Sequence, residues 1–151
     1  MCRDKNGLTE EEFLKSYNPD KYPKPSLTAD ICIFAHSDVT EILLVKRGGH
    51  PYIGKWALPG GFANKNEPIE KTASRELKEE TGYEAEKIEF VTSFYPTVGY
   101  SNEQLYLFVA EGLVPGETCF DENEAIDIEE IDIDILFDMV MTGRIHDAKT
   151  I

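Results

Sequence analysis

The chain has 151 residues, 41% of them hydrophobic, with 29 Asp and Glu against 15 Lys and Arg and a formal net charge of −14. That size supports one domain with a layered core, and no apolar run approaches the roughly 20 residues of a membrane helix. The negative charge argues against nucleic acid and anionic membranes as partners. Cys2, Cys32 and Cys119 are scattered without metal-ligand spacing, and the N-terminal MCRDKNGLTEEEF holds no signal-peptide core, so a cytoplasmic protein with reduced thiols is expected.

In chain order, Thr9–Tyr17 reads as a short helix, with Thr9 as N-cap and Glu12 completing a capping box. The proline-punctuated NPDKYPKP follows, and it divides an N-terminal extension, 1–25, from a main domain, 26–151. Leu27–Ala35 is β-rich and apolar, His36–Thr40 makes a turn, and Glu41–Lys46 is the hairpin partner. After a loop from Arg47 to Gly54 comes the strand-like KWALPGGF. Beyond the central helix described below, Lys87–Phe94 and Gln104–Glu111 read as strands. Ile126–Ile133 alternates apolar and acidic residues like a half-buried strand, and Asp134–Thr142 is an amphipathic helix stopped by Gly143. Strands on both sides of a central helix, with a further helix at the end, predict an α+β domain with a mixed sheet between helices.

The segment GFANKNEPIEKTASRELKEETGY, Gly61–Tyr83, carries the most information. Ile69, Ala73 and Leu77 recur at four-residue spacing and form a stripe able to dock on a sheet. Pro68 suits the first helical turn and Gly82 the left-handed position that ends the helix. On another face stand Glu76, Glu79 and Glu80, at i, i+3 and i+4, with Arg75 four residues before Glu79 and able to orient its carboxylate. A run of acids ordinarily marks a solvated helix face. Here the acids sit on a docked helix behind a glycine turn, and close-set hard oxygen donors suit Mg2+ or Mn2+, which bridge phosphate oxygens. Such a cation would also explain how so acidic a chain tolerates an anionic ligand.

Written as spacing, the segment is Gly61, five residues, Glu67, seven residues, Arg75-Glu76, Leu77, one residue, Glu79-Glu80, one residue, Gly82. This resembles the signature box of the Nudix hydrolases, with Tyr83 where an aliphatic residue is usual. The resemblance covers about Ser26–Ile145 and implies an α/β/α sandwich with a mixed sheet, and hydrolysis of a nucleoside diphosphate linked to another moiety. It also implies Glu76 and Glu80 as metal ligands together with the carbonyl of Gly60, Glu79 as a further ligand or a partner of Arg75, and a catalytic role for Arg75, Glu79 and Glu80. Arg47 is a candidate for pairing with a substrate phosphate.

Downstream, DENEAIDI, YPTVGYSNEQLYLFVAEGL and GRIHDAKTI resemble the ADP-ribose pyrophosphatase branch. That likeness implies Glu122 as the base that activates water and Glu124 as an additional ligand. Phe62, Tyr95 and Tyr100 are candidates for stacking on an adenine. Val98 stands where that branch usually has proline. The expected reaction is cleavage of ADP-ribose to AMP and ribose 5-phosphate. Other nucleotides, such as oxidised nucleoside triphosphates or dinucleoside polyphosphates, and a non-catalytic nucleotide-sensing role remain the alternatives. Homodimers are common in the branch, so a homodimer is a further expectation.

Overall fold

A computed structural model describes Arg3 and residues 7–16, 25–36, 38–99, 101–116 and 127–151. The chain begins with α1 (Glu10–Ser16), β1 (Leu27–His36), β2 (Thr40–Lys46), β3 (Trp56–Ala57) and β4 (Gly60–Phe62). There follow α2 (Ile69–Thr81), β5 (Tyr83–Phe94), β6 (Gln104–Pro115), β7 (Asp127–Asp132) and α3 (Ile133–Met141).

The seven strands form a mixed sheet with the path β3-β2-β1-β6-β5, to which β4 adds on β1 and β7 on β2. β1 and β6 run parallel, from Leu27 beside Gln104 to Ile33 beside Ala110, and every other pairing is antiparallel. β1 serves both halves of the sheet: its first residues pair with β4 and β6, and its last three with β2.

Alternation along the strands sends side chains to two cores. Ala29, Ile31, Ile33, Leu43, Phe108 and Ala110 pack against Ala73 and Leu77 of α2, with Ile69 at the margin. On the opposite face Ile42, Leu44, Leu58 and Ile131 pack against Leu136 and Met139 of α3, joined by Ile145. The outcome is the expected α/β/α arrangement. The helix at the start is held differently. The Thr9 amide donates to Glu12 Oε2 at 2.8 Å and the Glu12 amide to Thr9 Oγ1 at 3.3 Å, the reciprocal pattern of a capping box. None of its own residues is buried.

Several boundaries differ from the sequence reading. β5 starts at Tyr83, directly after the Gly82 cap, because the left-handed Gly82 (φ 72°) turns the chain straight from helix to strand. β6 continues to Pro115 because β5 remains beside it that far, Tyr83 opposite Pro115. Pro68 is the N-cap of α2, with an extended ψ of 141°, and the helix proper begins one residue later. α3 begins earlier than expected because Asp132 caps it, accepting from the Asp134 amide at 2.8 Å.

The α2 stripe is the joint between helix and sheet, and Leu77 has no solvent exposure. Leu77→Ala is expected to lower unfolding free energy by about 3 kcal/mol. Urea titration followed by circular dichroism would measure it, and a loss below about 1 kcal/mol would mean that α2 is not anchored there.

Candidate functional site

The turn before α2 is built around Glu67. The Asn64 amide donates to Glu67 Oε2 at 2.9 Å, and the Thr72 hydroxyl donates to the same oxygen at 3.0 Å. Arg75 then grips the carboxylate with both ends of its fork, Nε on Oε1 at 3.0 Å and Nη2 on Oε2 at 3.1 Å. Such bidentate charge-assisted pairs combine strength with a fixed orientation. The Arg75 guanidinium beside it, backed by the Asn64 amide and Thr72 hydroxyl, holds the Glu67 carboxyl down at about 2, against the smaller opposing effect of desolvation.

The remaining donors of Arg75 point toward the acids. Nη1 lies 2.7 Å from Glu76 Oε1 and 2.7 Å from Glu79 Oε2, and Nη2 donates to the Phe62 carbonyl at 3.0 Å. One guanidinium therefore joins the glycine-rich strand, the turn and the acidic face of the helix. Glu67 is the leading reason that this guanidinium is held well above its ordinary pKa, so it stays charged at any working pH.

Both glycines ahead of the turn are demanded by close packing. A Cβ on Gly61 would stand 2.5 Å from Glu76 Oε1 and 2.6 Å from its carboxyl carbon. A Cβ on Gly60 would stand 2.5 Å from Asp30 Oδ1 and 2.7 Å from the Asp30 Cα. Without side chains the strand lies directly on the buried Glu76, and the Gly60 amide donates to Glu80 Oε2 at 2.7 Å. Glu76, Glu79, Glu80 and Gly60 thus share one corner where α2 crosses β4.

The donors gathered there are hard oxygens in local negative excess, a chemistry that fits a hard divalent cation. Among the described residues, no three acidic, histidine or cysteine side chains already stand in a ligating arrangement. Their carboxylates rest instead on Arg75 and on the Gly60 amide. Rotation of Glu79 and Glu80 about their side-chain bonds would exchange those donors for a cation.

The other expected residues are more dispersed. Arg47 is exposed and its Nε donates to the Pro51 carbonyl at 2.9 Å, across a loop that precedes β3. Phe62 is half-buried beside the Arg75 fork, and Tyr95 is 56% exposed at the end of β5. Tyr100, Glu122 and Glu124 lie outside the described residues.

Sequence reasoning passed over two charged residues near this corner. Asp30 on β1 has no solvent exposure, and Lys149 near the chain's end places its Nζ 2.9 Å from Asp30 Oδ1. Burial pushes the Asp30 carboxyl up to about 6, and Lys149 opposes this shift. The signal was an acid interrupting the apolar run LTADICIF, since buried acids require partners.

An acidic helix face clamped by one arginine behind a glycine strand gathers hard oxygen donors at one corner of the sheet. Residues 25–150 match the model of the NUDIX domain family, and the chain belongs to that family. It is 34% identical over 124 residues to the methanol dehydrogenase activator of Bacillus methanolicus, a match spanning 80% of this chain and 67% of that one. It is 33% identical over 123 residues to the ADP-ribose pyrophosphatase of Bacillus subtilis, spanning 80% of this chain and 66% of that one. The chain thus spans about two thirds of the length of these curated relatives. The crystallised NUDIX domain of Shewanella oneidensis NrtR complexed with ADP ribose superposes with a TM-score of 0.61 at 26% identity, over 87% of this chain and 88% of that one. Members of this family generally need a divalent metal. No helix among the described residues is long and apolar enough to cross a membrane.

The depressed Glu67 acid sets a pH dependence with a definite sign. Its stabilising effect is complete above the ordinary carboxylate pKa, near 4.5, and is lost as pH falls toward about 2. Glu67→Gln is expected to melt at a lower temperature than the parent chain at pH 6, and the gap is expected to close as pH falls from about 4.5 toward 2. Thermal unfolding of both proteins at stepped pH measures this. A gap independent of pH would show that the carboxylate's charge is not what Arg75 uses.

Proposed function

We propose that this chain is a metal-dependent pyrophosphohydrolase that cleaves ADP-ribose to AMP and ribose 5-phosphate. The single observation that supports it most is the Arg75 clamp, which aims Glu76 and Glu79 from one helix face beside the Gly60–Glu80 contact. The resemblance to the Bacillus subtilis ADP-ribose pyrophosphatase supports the choice of substrate.

In this reading Glu76, Glu79, Glu80 and the Gly60 carbonyl hold Mg2+ or Mn2+. When bound, the cation neutralises pyrophosphate oxygens and makes a nucleophilic water available near neutral pH. Arg75 keeps the acids aimed, and Glu67 keeps Arg75 in place. Arg47 pairs with a phosphate, and Phe62, Tyr95 and Tyr100 flank the adenine. Glu122 accepts the proton of the attacking water, with Glu124 as an additional ligand. A new bond forms from the water oxygen to one phosphorus while that phosphorus loses its bridging oxygen, which departs on the other phosphate.

A second reading is favoured by the solved NrtR domain complexed with ADP ribose: a domain that binds the nucleotide and signals without cleaving it. The intact set of Glu76, Glu79 and Glu80 favours hydrolysis.

Incubation with ADP-ribose, GDP-mannose, an oxidised nucleoside triphosphate and a dinucleoside tetraphosphate, each with Mg2+, Mn2+ or EDTA, separates these readings. AMP and ribose 5-phosphate are expected from ADP-ribose with either metal, and none with EDTA. Activity confined to triphosphates would overturn the substrate, and saturable binding with no product would favour sensing. Glu76→Gln and Glu80→Gln are each expected to lower kcat by more than about a hundredfold, the upper range for residues one step removed from a metal. Their circular dichroism should match the parent protein, and near-normal turnover in either would remove that residue from the site.

A further inference from the structure

Asp30 is the unusual residue of the sheet. It sits on β1 with no solvent exposure, directly beside Gly60 in the β1–β4 register. Its carboxylate lies so close beneath Gly60 that only glycine fits there. A buried carboxylate is costly unless a charge answers it. Lys149 supplies that charge from the far end of the chain, its Nζ 2.9 Å from Asp30 Oδ1 and 3.9 Å from Asp147 Oδ1. The contact with Asp30 is an ion pair by distance, off-axis for a hydrogen bond. Glu80 adds to the negative field that keeps this ammonium charged despite its burial.

The same turn makes a second attachment. Thr150 Oγ1 accepts from the Leu58 amide at 3.1 Å and donates to Asp147 Oδ2 at 2.6 Å, and the Thr150 amide closes the turn on the Asp147 carbonyl at 3.1 Å. Between these points the Pro59 carbonyl accepts from the Ile31 amide at 2.8 Å. The segment Leu58-Pro59-Gly60 is therefore held at successive residues, and at Gly60 it meets Glu80.

We propose that Lys149 is a positioning residue: paired with Asp30 and aided by Thr150, it straps the 147–150 turn behind β4 and holds the Gly60 backbone in place beside Glu80, the frame on which the cation is bound. This rests on the metal-platform reading above. A buried ion pair is a poor device for stability alone, because apolar replacements of similar volume are often as stable or more so. Its place directly beneath a proposed ligand gives it a different use. Residues one step behind metal ligands orient them, and their loss costs about 10–100-fold in affinity. The Lys149 side chain is only 20% exposed and its ammonium is committed to Asp30, so it is not a substrate contact.

The test is the double variant Asp30→Asn/Lys149→Met, which removes both charges together and leaves none unpaired in the interior. Mn2+ binding is measured by electron paramagnetic resonance, alongside thermal unfolding and ADP-ribose kinetics. The expected result is thermal stability close to the parent protein, with Mn2+ bound about 10–100-fold more weakly. At saturating metal, KM for ADP-ribose should be unchanged. Should the double variant not fold, Thr150→Val provides the same test from the other attachment and is expected to weaken Mn2+ binding in the same direction. Glu80→Gln run in parallel keeps the two ideas apart. If it binds Mn2+ like the parent chain, the platform reading fails. If it loses Mn2+ while the strap variants bind normally, the strap is overturned and the platform stands. A raised KM with unchanged Mn2+ affinity would also overturn the proposal, by making Lys149 a substrate contact.

Discussion

The Arg75 guanidinium is the interaction on which the rest of the site depends. It contacts Glu67, Glu76, Glu79 and the Phe62 carbonyl at 2.7 to 3.1 Å. A lysine could supply the charge but not this planar fork, whose donors reach several acceptors in fixed directions. Three carboxylates on adjoining turns of a helix repel one another. Arg75 offsets part of that repulsion by donating to Glu76 and Glu79 at once. Glu67 completes the arrangement by fixing the arginine itself.

This clamp works only because both of its sides are anchored. α2 is bound to the sheet by Ala73 and Leu77, which are fully buried against β1 and β6 residues. The β4 strand is bound through its pairing with β1 and through the Ala63 amide on the Leu27 carbonyl. β1 thus carries the helix on one face and the glycine strand at its edge. Movement of either element would be felt at Glu76, whose carboxylate lies against Gly61 with no room for a methyl group. Close packing of this kind makes the corner a tight frame, at which Glu79 and Glu80 are half-exposed.

The two faces of the sheet carry different tasks. The α2 face presents the acids, while the α3 face carries a mostly apolar core, interrupted by Asp30 and its answering Lys149. The chain brings its last turn back to this second face, so that residues remote in sequence stand behind the corner formed by Gly60 and Glu80. The overall charge of −14 is consistent with this design. Such a surface does not attract phosphate as a whole, which is why the proposed function calls on a cation to reverse the field locally.

Local pattern determined the helix, its docking stripe, its glycine stop and the acids on its face, because all of these lie within one short window where 3.6-residue periodicity maps sequence directly to geometry. The hairpin of β1 and β2 and the capping box of Thr9 and Glu12 were legible for the same reason, since each rests on neighbours in sequence, whereas the α/β/α layering came from the family resemblance. The pairing of Arg75 with Glu79 was legible at i, i+4, but its grip on Glu67 and Phe62 depends on a turn that brings the strand back over the helix. The parallel pairing of β1 with β6 and the ion pair of Asp30 with Lys149 join residues far apart in the chain, and no local propensity encodes which distant partner will arrive. Sequence alone therefore determined the kind of chemistry, through residues spaced along one helix, whereas only the tertiary structure decided what stands behind those residues, because buried charges take their partners from whichever segment the fold brings within reach.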